Sequence, residues 1–168
     1  MFRNFLVFSL VTMLAGCVLY PTTRDYYKPV VKLGQVETAS AGCGYHKAKY
    51  DGLEQRAGGI TVRAYPHFSL EENTLSLTLS TESEYDNVEV TLNKVVSNDV
   101  ELPSVPLTLS SDYVVSEVYR AWYTSDAVRV QGKPGKLLIT ASDNYGNTYT
   151  FEFEFASQKD IYYSSINC

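Results

Sequence analysis

The sequence has 168 residues, and its 19 acidic residues outnumber the 14 lysines and arginines to give a formal net charge of −5. Because an acidic chain without a cluster of lysine and arginine repels phosphate backbones, nucleic acid is excluded as an expected partner. The 14 tyrosines and 7 phenylalanines, many beside threonine and valine, favour β-sheet over helix.

Residues 1–17 have the pattern of an export signal. One positive charge, Arg3, precedes a largely apolar run at 5–13, and the segment closes with Leu-Ala-Gly-Cys at 14–17. A charged start, an apolar run of this length and small residues before a cleavage point are typical of a secretory signal. The run is shorter than the roughly 20 apolar residues that span a membrane.

The closing Leu-Ala-Gly-Cys box resembles that of a bacterial lipoprotein precursor. The resemblance implies cleavage after the signal peptide at 1–16 and attachment of acyl chains, including palmitate, to Cys17. Two or more chains anchor a protein stably in a membrane. Since Val18 rather than aspartate follows Cys17, the resemblance further implies the outer membrane, facing the periplasm. The alternative is an ordinary signal peptide whose cleavage site happens to contain a cysteine.

The mature chain of 152 residues suits one domain. Its 13 lysines and arginines against 19 acidic residues leave a net charge of −6. Two cysteines remain besides Cys17, and in an oxidising compartment we expect Cys43 and Cys168 to form one disulfide. The alternatives are two free thiols or a metal site with Cys43 and His46. Zinc needs three or four ligands and the only other histidine is His67, so no metal is predicted.

Residues 17–42 are interpreted as the lipidated N-terminus and a tether, because they lack a sustained period and contain Pro21 and Pro29. Fully extended, such a tether would reach about 80 Å at roughly 3.3 Å per residue. The folded domain is then predicted at 43–168.

Apolar and polar residues alternate with a period of two in several segments of this domain. Such alternation is typical of antiparallel strands with one face in a core and the other in water. Together with turn signals, these segments predict an all-β fold, an antiparallel two-sheet (immunoglobulin-like) sandwich with at most one short helix. A small barrel is the alternative. The strands are expected near 60–65, 75–80, 88–93, 105–109, 128–131, 136–141, 149–155 and 161–166.

Two segments between the predicted strands stand out. Residues 143–147 combine Asx residues with a glycine, which predicts a hairpin turn; a calcium loop is the alternative reading of the same oxygens. Residues 110–125 place apolar side chains on one helical face behind Ser111 or Asp112 as a suitable N-cap. We therefore expect the one short helix here, with Trp122 filling the core.

The sequence contains no recognisable catalytic motif, and its only imidazole bases are His46 and His67. We therefore predict that the protein is not an enzyme and needs no cofactor. The expected role is structural or interactive, at the membrane, with an envelope protein as an unspecified partner. The alternative is a glycan-binding or small-ligand-binding module that uses outward-facing tyrosines. The candidate tyrosines are Tyr113, Tyr123, Tyr145, Tyr162 and Tyr163.

Overall fold

A computed structural model of the chain describes residues 19–40, 45–103 and 105–163, with the side chains of residues 19 and 163 left out. The regular secondary structure of these ranges consists of β-strands, so the predicted all-β class is confirmed. None of the described segments forms a helix long and apolar enough to cross a membrane. The strands are β1 (Leu19–Pro29), β2 (Gln35–Ser40), β3 (Lys49–Ala57), β4 (Ile60–Ser69), β5 (Thr74–Ser83), β6 (Val90–Ser97), β7 (Val100–Glu101), β8 (Leu107–Val115), β9 (Val118–Ser125), β10 (Val128–Arg129), β11 (Lys136–Asp143) and β12 (Thr148–Tyr163).

The strands form two antiparallel sheets, which confirms the predicted sandwich. The first sheet has the order β1-β12-β11-β6-β7. The second has the order β2-β3-β4-β5-β9-β8, and the short β10 pairs with β5. At the centre of the first sheet, Ile139 lies opposite Phe151 on one side and Val95 on the other.

Contacts between residues divide the chain into two compact units. The described part of the first, here called the terminal unit, consists of residues 19–24, 45–49 and 157–163. The second, the sandwich unit, consists of residues 25–40 and 50–156. Strands β1 and β12 contribute residues to both.

The hydrophobic core lies in the sandwich unit and follows the period of two. Along β4 the buried residues are Ile60, Val62 and Ala64, and along β12 the rings of Phe151 and Phe153 are fully buried. Burial of each valine, isoleucine or phenylalanine side chain stabilises the fold by about 1.5–3 kcal/mol relative to its exposed state. The alternation in the sequence therefore arises, as predicted, because one face of each of these strands lies in the core and the other in water.

The interpretation of residues 17–42 as a tether is wrong for the part that the structure describes. Residues 19–29 and 35–40 form β1 and β2, and residues 25–40 belong to the same unit as 50–156. Tyr27 is fully buried and packs edge-on against Phe155, with ring centroids 5.5 Å apart. Pro21 lies within β1, which is an edge strand, the kind of strand in which proline is tolerated. The predictions for residues 1–16 and for Cys17, Cys43 and Cys168 concern residues outside the described ranges.

An ion pair holds the terminal unit together. The Arg24 guanidinium lies 2.6 Å from the Asp160 carboxylate, and both side chains are buried. Asp160 also accepts the backbone N–H of Ile161 at 2.7 Å and of Lys47 at 3.2 Å. Burial alone would raise the pKa of Asp160, but these hydrogen bonds and the charges of Arg24 and Lys47 lower it below the ordinary value. The pair therefore links three separate parts of the chain.

The predicted hairpin at 143–147 is confirmed and is closed by Asp143. One carboxylate oxygen accepts the backbone N–H groups of Tyr145 (3.0 Å) and Asn147 (2.9 Å). The other accepts the Asn147 side-chain amide and the Tyr149 hydroxyl, each at 2.8 Å. Burial acts to raise the pKa of Asp143, and the hydrogen bonds outweigh it and lower the pKa. Turn chemistry thus accounts for the placement of this acidic residue.

Candidate interaction site

The segment predicted as a helix is instead the β8–β9 hairpin, so that prediction is wrong. Val115 pairs with Val118 across a two-residue turn, and the ladder continues to Leu107 opposite Ser125, with a bulge near Ser110. The apolar residues of this segment fit both a helical face and two short strands. Cross-strand pairing and the preference of valine, tyrosine and tryptophan for strands decide between them.

The turn of this hairpin contains neither glycine nor an Asx residue. Ser116 and Glu117 have φ angles of +52° and +65°. The comparable turn between β3 and β4 uses Gly58 and Gly59, with φ angles of +56° and +83°. A left-handed backbone costs a residue with a Cβ roughly 1–2 kcal/mol. The hairpin tip therefore stores strain, which commonly accompanies functional segments.

The end of the hairpin is exposed on both faces. Successive residues of a strand point to opposite faces, yet Tyr113, Val114 and Val115 are 45%, 56% and 50% exposed. Tyr119, opposite Val114, is exposed as well. A strand inside a sandwich would bury every second side chain, so this end of the hairpin has no cover within the described residues.

Strand β8 also has a free edge, since it is the last strand in the order of its sheet. In a two-residue hairpin, hydrogen-bonded and non-hydrogen-bonded pairs alternate from the pair that closes the turn. That pair is Val115–Val118. The peptide groups of Asp112 and Val114 consequently point away from β9. An edge of this kind is a template for a further strand.

Trp122 lies on the outer face of the hairpin rather than in the core. It is half-buried, and its ring stacks on that of Tyr113 with centroids 5.3 Å apart and planes inclined by 20°. The prediction that Trp122 fills the core is therefore wrong. The stack holds the exposed Tyr113 ring in one orientation.

A loop at residues 84–89, which we call the crossover loop, connects β5 of one sheet to β6 of the other. The Tyr145 hydroxyl donates to the carbonyl of Asp86 at 3.1 Å, and the Asn144 amide donates to that of Asn87 at 2.9 Å. The Tyr123 hydroxyl donates to the carbonyl of Val88 at 2.7 Å. These bonds hold the loop against β9 and against the turn between β11 and β12.

The crossover loop and the β8–β9 hairpin enclose a cleft of about 290 Å³. Its apolar surface comes from Leu109, Val114 and Tyr119 of the hairpin. Its polar surface comes from both sides and includes three carboxylates and one guanidinium. These charged residues are Asp86, Glu89, Asp112 and Arg120.

The cleft carries an excess of negative charge. Arg120 is paired with Glu82, with a nitrogen-to-oxygen distance of 3.3 Å, whereas no ion pair within the described ranges involves Asp86, Glu89 or Asp112. Burial raises the pKa of Tyr123, and the negative charges of Glu89 and Asp112 raise it further. The cleft therefore favours a positively charged ligand.

The candidate tyrosines do not form one site. Tyr113 lines the cleft, while the ring of Tyr123 is buried, so the prediction that Tyr123 faces outward is wrong. Tyr145 is exposed, but it stacks on Tyr85 and its hydroxyl is bound to the crossover loop. Tyr162 belongs to the terminal unit, and the side chain of Tyr163 lies outside the description.

The structure groups few residues of catalytic or metal-binding type. Within the described ranges, no three His, Cys, Asp or Glu side chains converge so that they could hold a metal ion. His67 is an exposed residue of β4, and His46 is an exposed residue of the terminal unit. The carboxylates of the cleft therefore do not form such a group within the described ranges.

Comparison with known proteins finds no relative of this chain. The chain matches no protein-family model, no curated protein and no solved structure.

The crossover loop and the free edge of β8 were not predicted as functional. The acidic residues at 84–89 look like an ordinary solvated loop, and the free edge depends on the order of the strands in the sheet. The one available signal was the run Tyr-Val-Val at 113–115, which is too apolar for a solvent-exposed segment unless something covers it.

Proposed function

We propose that this protein is a lipid-anchored lipoprotein of the bacterial outer membrane, facing the periplasm, with an interaction role in the cell envelope. In this proposal it binds an envelope protein through the free edge of β8. One observation carries the proposal: residues 113–115 are exposed on both faces of an edge strand whose outward peptide groups have no partner strand among the described residues.

The partner is proposed to be an extended segment that carries lysine or arginine. An added strand would bond to the outward peptide groups of Asp112 and Val114, as in other cases of strand addition. Its apolar side chains would cover Val114 and Tyr119. Its basic side chains would enter the cleft beside Asp86 and Asp112, where the charge is complementary.

The proposed anchor is Cys17, supported by the Leu-Ala-Gly-Cys box at 14–17. Intact-mass spectrometry of the membrane fraction tests this part. We expect the mass of residues 17–168 plus acyl chains, and a Cys17→Ser protein that is not lipidated. An unmodified Cys17 in the mature protein would overturn the anchor.

The docking edge is tested by in-cell photo-cross-linking from position 113, with a photoreactive phenylalanine in place of Tyr113. Val114→Pro removes the outward N–H but leaves the hydrogen bonds to β9, and proline is tolerated at such an edge position. Val114→Thr is the matched control, because it keeps the N–H. We expect a discrete adduct that Val114→Pro abolishes and Val114→Thr retains. An adduct that persists in Val114→Pro, or the absence of any adduct, would overturn the proposal.

The charge of the partner is tested separately with the same cross-link. Asp86→Lys together with Asp112→Lys is expected to abolish the adduct. Glu71→Lys together with Asp126→Lys changes the net charge equally at exposed positions that do not line the cleft, and is expected to leave it intact. Equal effects of the two pairs would exclude a basic partner segment.

The alternative, binding of a glycan or small ligand through surface tyrosines, has less support. Of the four candidates whose side chains the structure describes, Tyr113 alone lines the cleft. A glycan that protects Tyr113 from chemical iodination in proportion to its concentration would favour that alternative.

A further inference from the structure

We propose that the terminal unit is a second membrane-binding element, which seats on anionic phospholipid headgroups of the bilayer that holds the anchor. This inference rests on the proposed lipid anchor at Cys17. It concerns residues 19–24, 45–49 and 157–163.

The charge of the mature chain is strongly segregated between the two units. The terminal unit contains Arg24, Lys47, Lys49 and Lys159 against a single acid, Asp160, a net charge of +3. The mature chain as a whole has a net charge of −6, so the sandwich unit has −9. Arg24 and Asp160 neutralise each other, and the excess therefore comes from three lysines.

Two of these lysines are presented to solvent. Lys47 and Lys159 are exposed, and the Lys47 ammonium donates to the carbonyl of Lys159 at 2.9 Å, which brings the two residues together. Clustered basic residues beside a lipid anchor are the usual second signal for attachment to an anionic surface.

The same unit presents rings that suit a headgroup region. The Tyr162 ring lies 5.1 Å from that of Tyr20 and 5.0 Å from that of Tyr45. The Arg24 guanidinium covers Tyr45 at 4.2 Å. Tyr20 and Ile161 are about half exposed, at 46% and 47%. Tyrosine with an apolar body and a polar tip is enriched at membrane interfaces.

The short distance between Cys17 and the terminal unit favours the membrane as the surface that this unit binds. Strand β1 begins at residue 19, two residues after Cys17. Tyr20 lies three positions after Cys17, and three residue steps span at most about 10 Å. A lipidated Cys17 therefore keeps the terminal unit at the headgroup region instead of releasing it into the periplasm.

The test separates this element from the anchor by using residues 17–168 with Cys17→Ser. Flotation is measured with a large excess of vesicles made of phosphatidylcholine alone or mixed with phosphatidylglycerol. We expect flotation with the anionic vesicles only, and its loss in roughly 1 M salt, where the screening length is about 3 Å. A lysine near an anionic surface strengthens binding about fivefold, so losing two weakens it about 25-fold.

Two charge-reversed variants complete the test. Lys47→Glu with Lys159→Glu is expected to abolish flotation, while Lys133→Glu with Lys136→Glu, the same change in the sandwich unit, is expected to preserve it. If the protein with Lys47→Glu and Lys159→Glu does not fold, the variant with Lys47→Gln and Lys159→Gln is tested in its place. Absence of binding to anionic vesicles, or equal losses in both pairs, would overturn the inference. Failure of the anchor itself appears instead as an unmodified Cys17 by mass spectrometry.

Discussion

Replacement of Asp143 by alanine tests how the hairpin behind the crossover loop is held. The carboxylate accepts four hydrogen bonds, two from backbone N–H groups of the turn and two from the side chains of Asn147 and Tyr149. Asn144 and Tyr145 in turn bind the crossover loop. Loss of Asp143 would therefore loosen one wall of the cleft as well as the hairpin.

The magnitude follows from the burial of the donors. Hydrogen bonds to a charged group contribute about 1.5–3 kcal/mol each, but the turn N–H groups can bond to water after the substitution. The Tyr149 ring is fully buried, so its hydroxyl would be left without an acceptor at a cost of about 1–3 kcal/mol. We expect Asp143→Ala to lower the free energy of unfolding by about 3–5 kcal/mol.

The assay is urea unfolding at neutral pH, followed by circular dichroism. In the double variant with Tyr149→Phe, no hydroxyl is left unpaired, so the combined loss should be about 1–2 kcal/mol smaller than the sum of the two single losses. Asp126→Ala, at an exposed position, is the control and should change stability by less than about 0.5 kcal/mol. Additive losses, or an Asp143→Ala cost below about 1 kcal/mol, would refute the reasoning.

Three further predictions concern stability. The buried Tyr27 hydroxyl interacts with Ser97 but makes no hydrogen bond of good geometry among the described residues, so Tyr27→Phe should keep or raise the thermal midpoint, and a clear drop would show that the contact with Ser97 is a stabilising hydrogen bond. Ser116→Asn with Glu117→Gly should relieve the hairpin tip and stabilise the protein by about 1 kcal/mol in urea unfolding, and a loss of stability would show that the tip is not strained. The lowered pKa values of Asp143 and Asp160 mean that their contribution is present above about pH 4 and is lost as the pH falls through the folded-state values. Unfolding measured from pH 7 to pH 2 should show this loss, which Asp143→Asn should reduce; an unchanged profile in that variant would contradict the assignment.

The all-β class and most strands of the sandwich were predictable because their core faces follow a strict period of two. Strand β12 illustrates this, since Phe151 and Phe153 alternate with Glu152 and Glu154 and are buried as expected. The hairpin at 143–147 was predictable for an equally local reason, the conformational preferences of Asx residues and glycine.

The errors occurred where tertiary pairing decides the structure. Strand β1 contains Pro21, which argues against a strand unless the strand is known to lie at an edge. The β8–β9 hairpin turns through Ser116 and Glu117, neither of which signals a two-residue turn, so the strand residues around them fitted a helix equally well. The crossover loop and the β8–β9 hairpin are separate in the sequence. They form one cleft because of the order of the strands in the sheets, which the sequence does not reveal.

The neighbouring positions of β1 and β12 in one sheet affect how this chain reaches its native state. The first described strand bonds along the last, with more than a hundred residues of intervening sequence. That sheet stays incomplete until β12 has been synthesised, and closing so large a loop slows the final step. Until then, β1 lacks the strand that it pairs with in the described sheet.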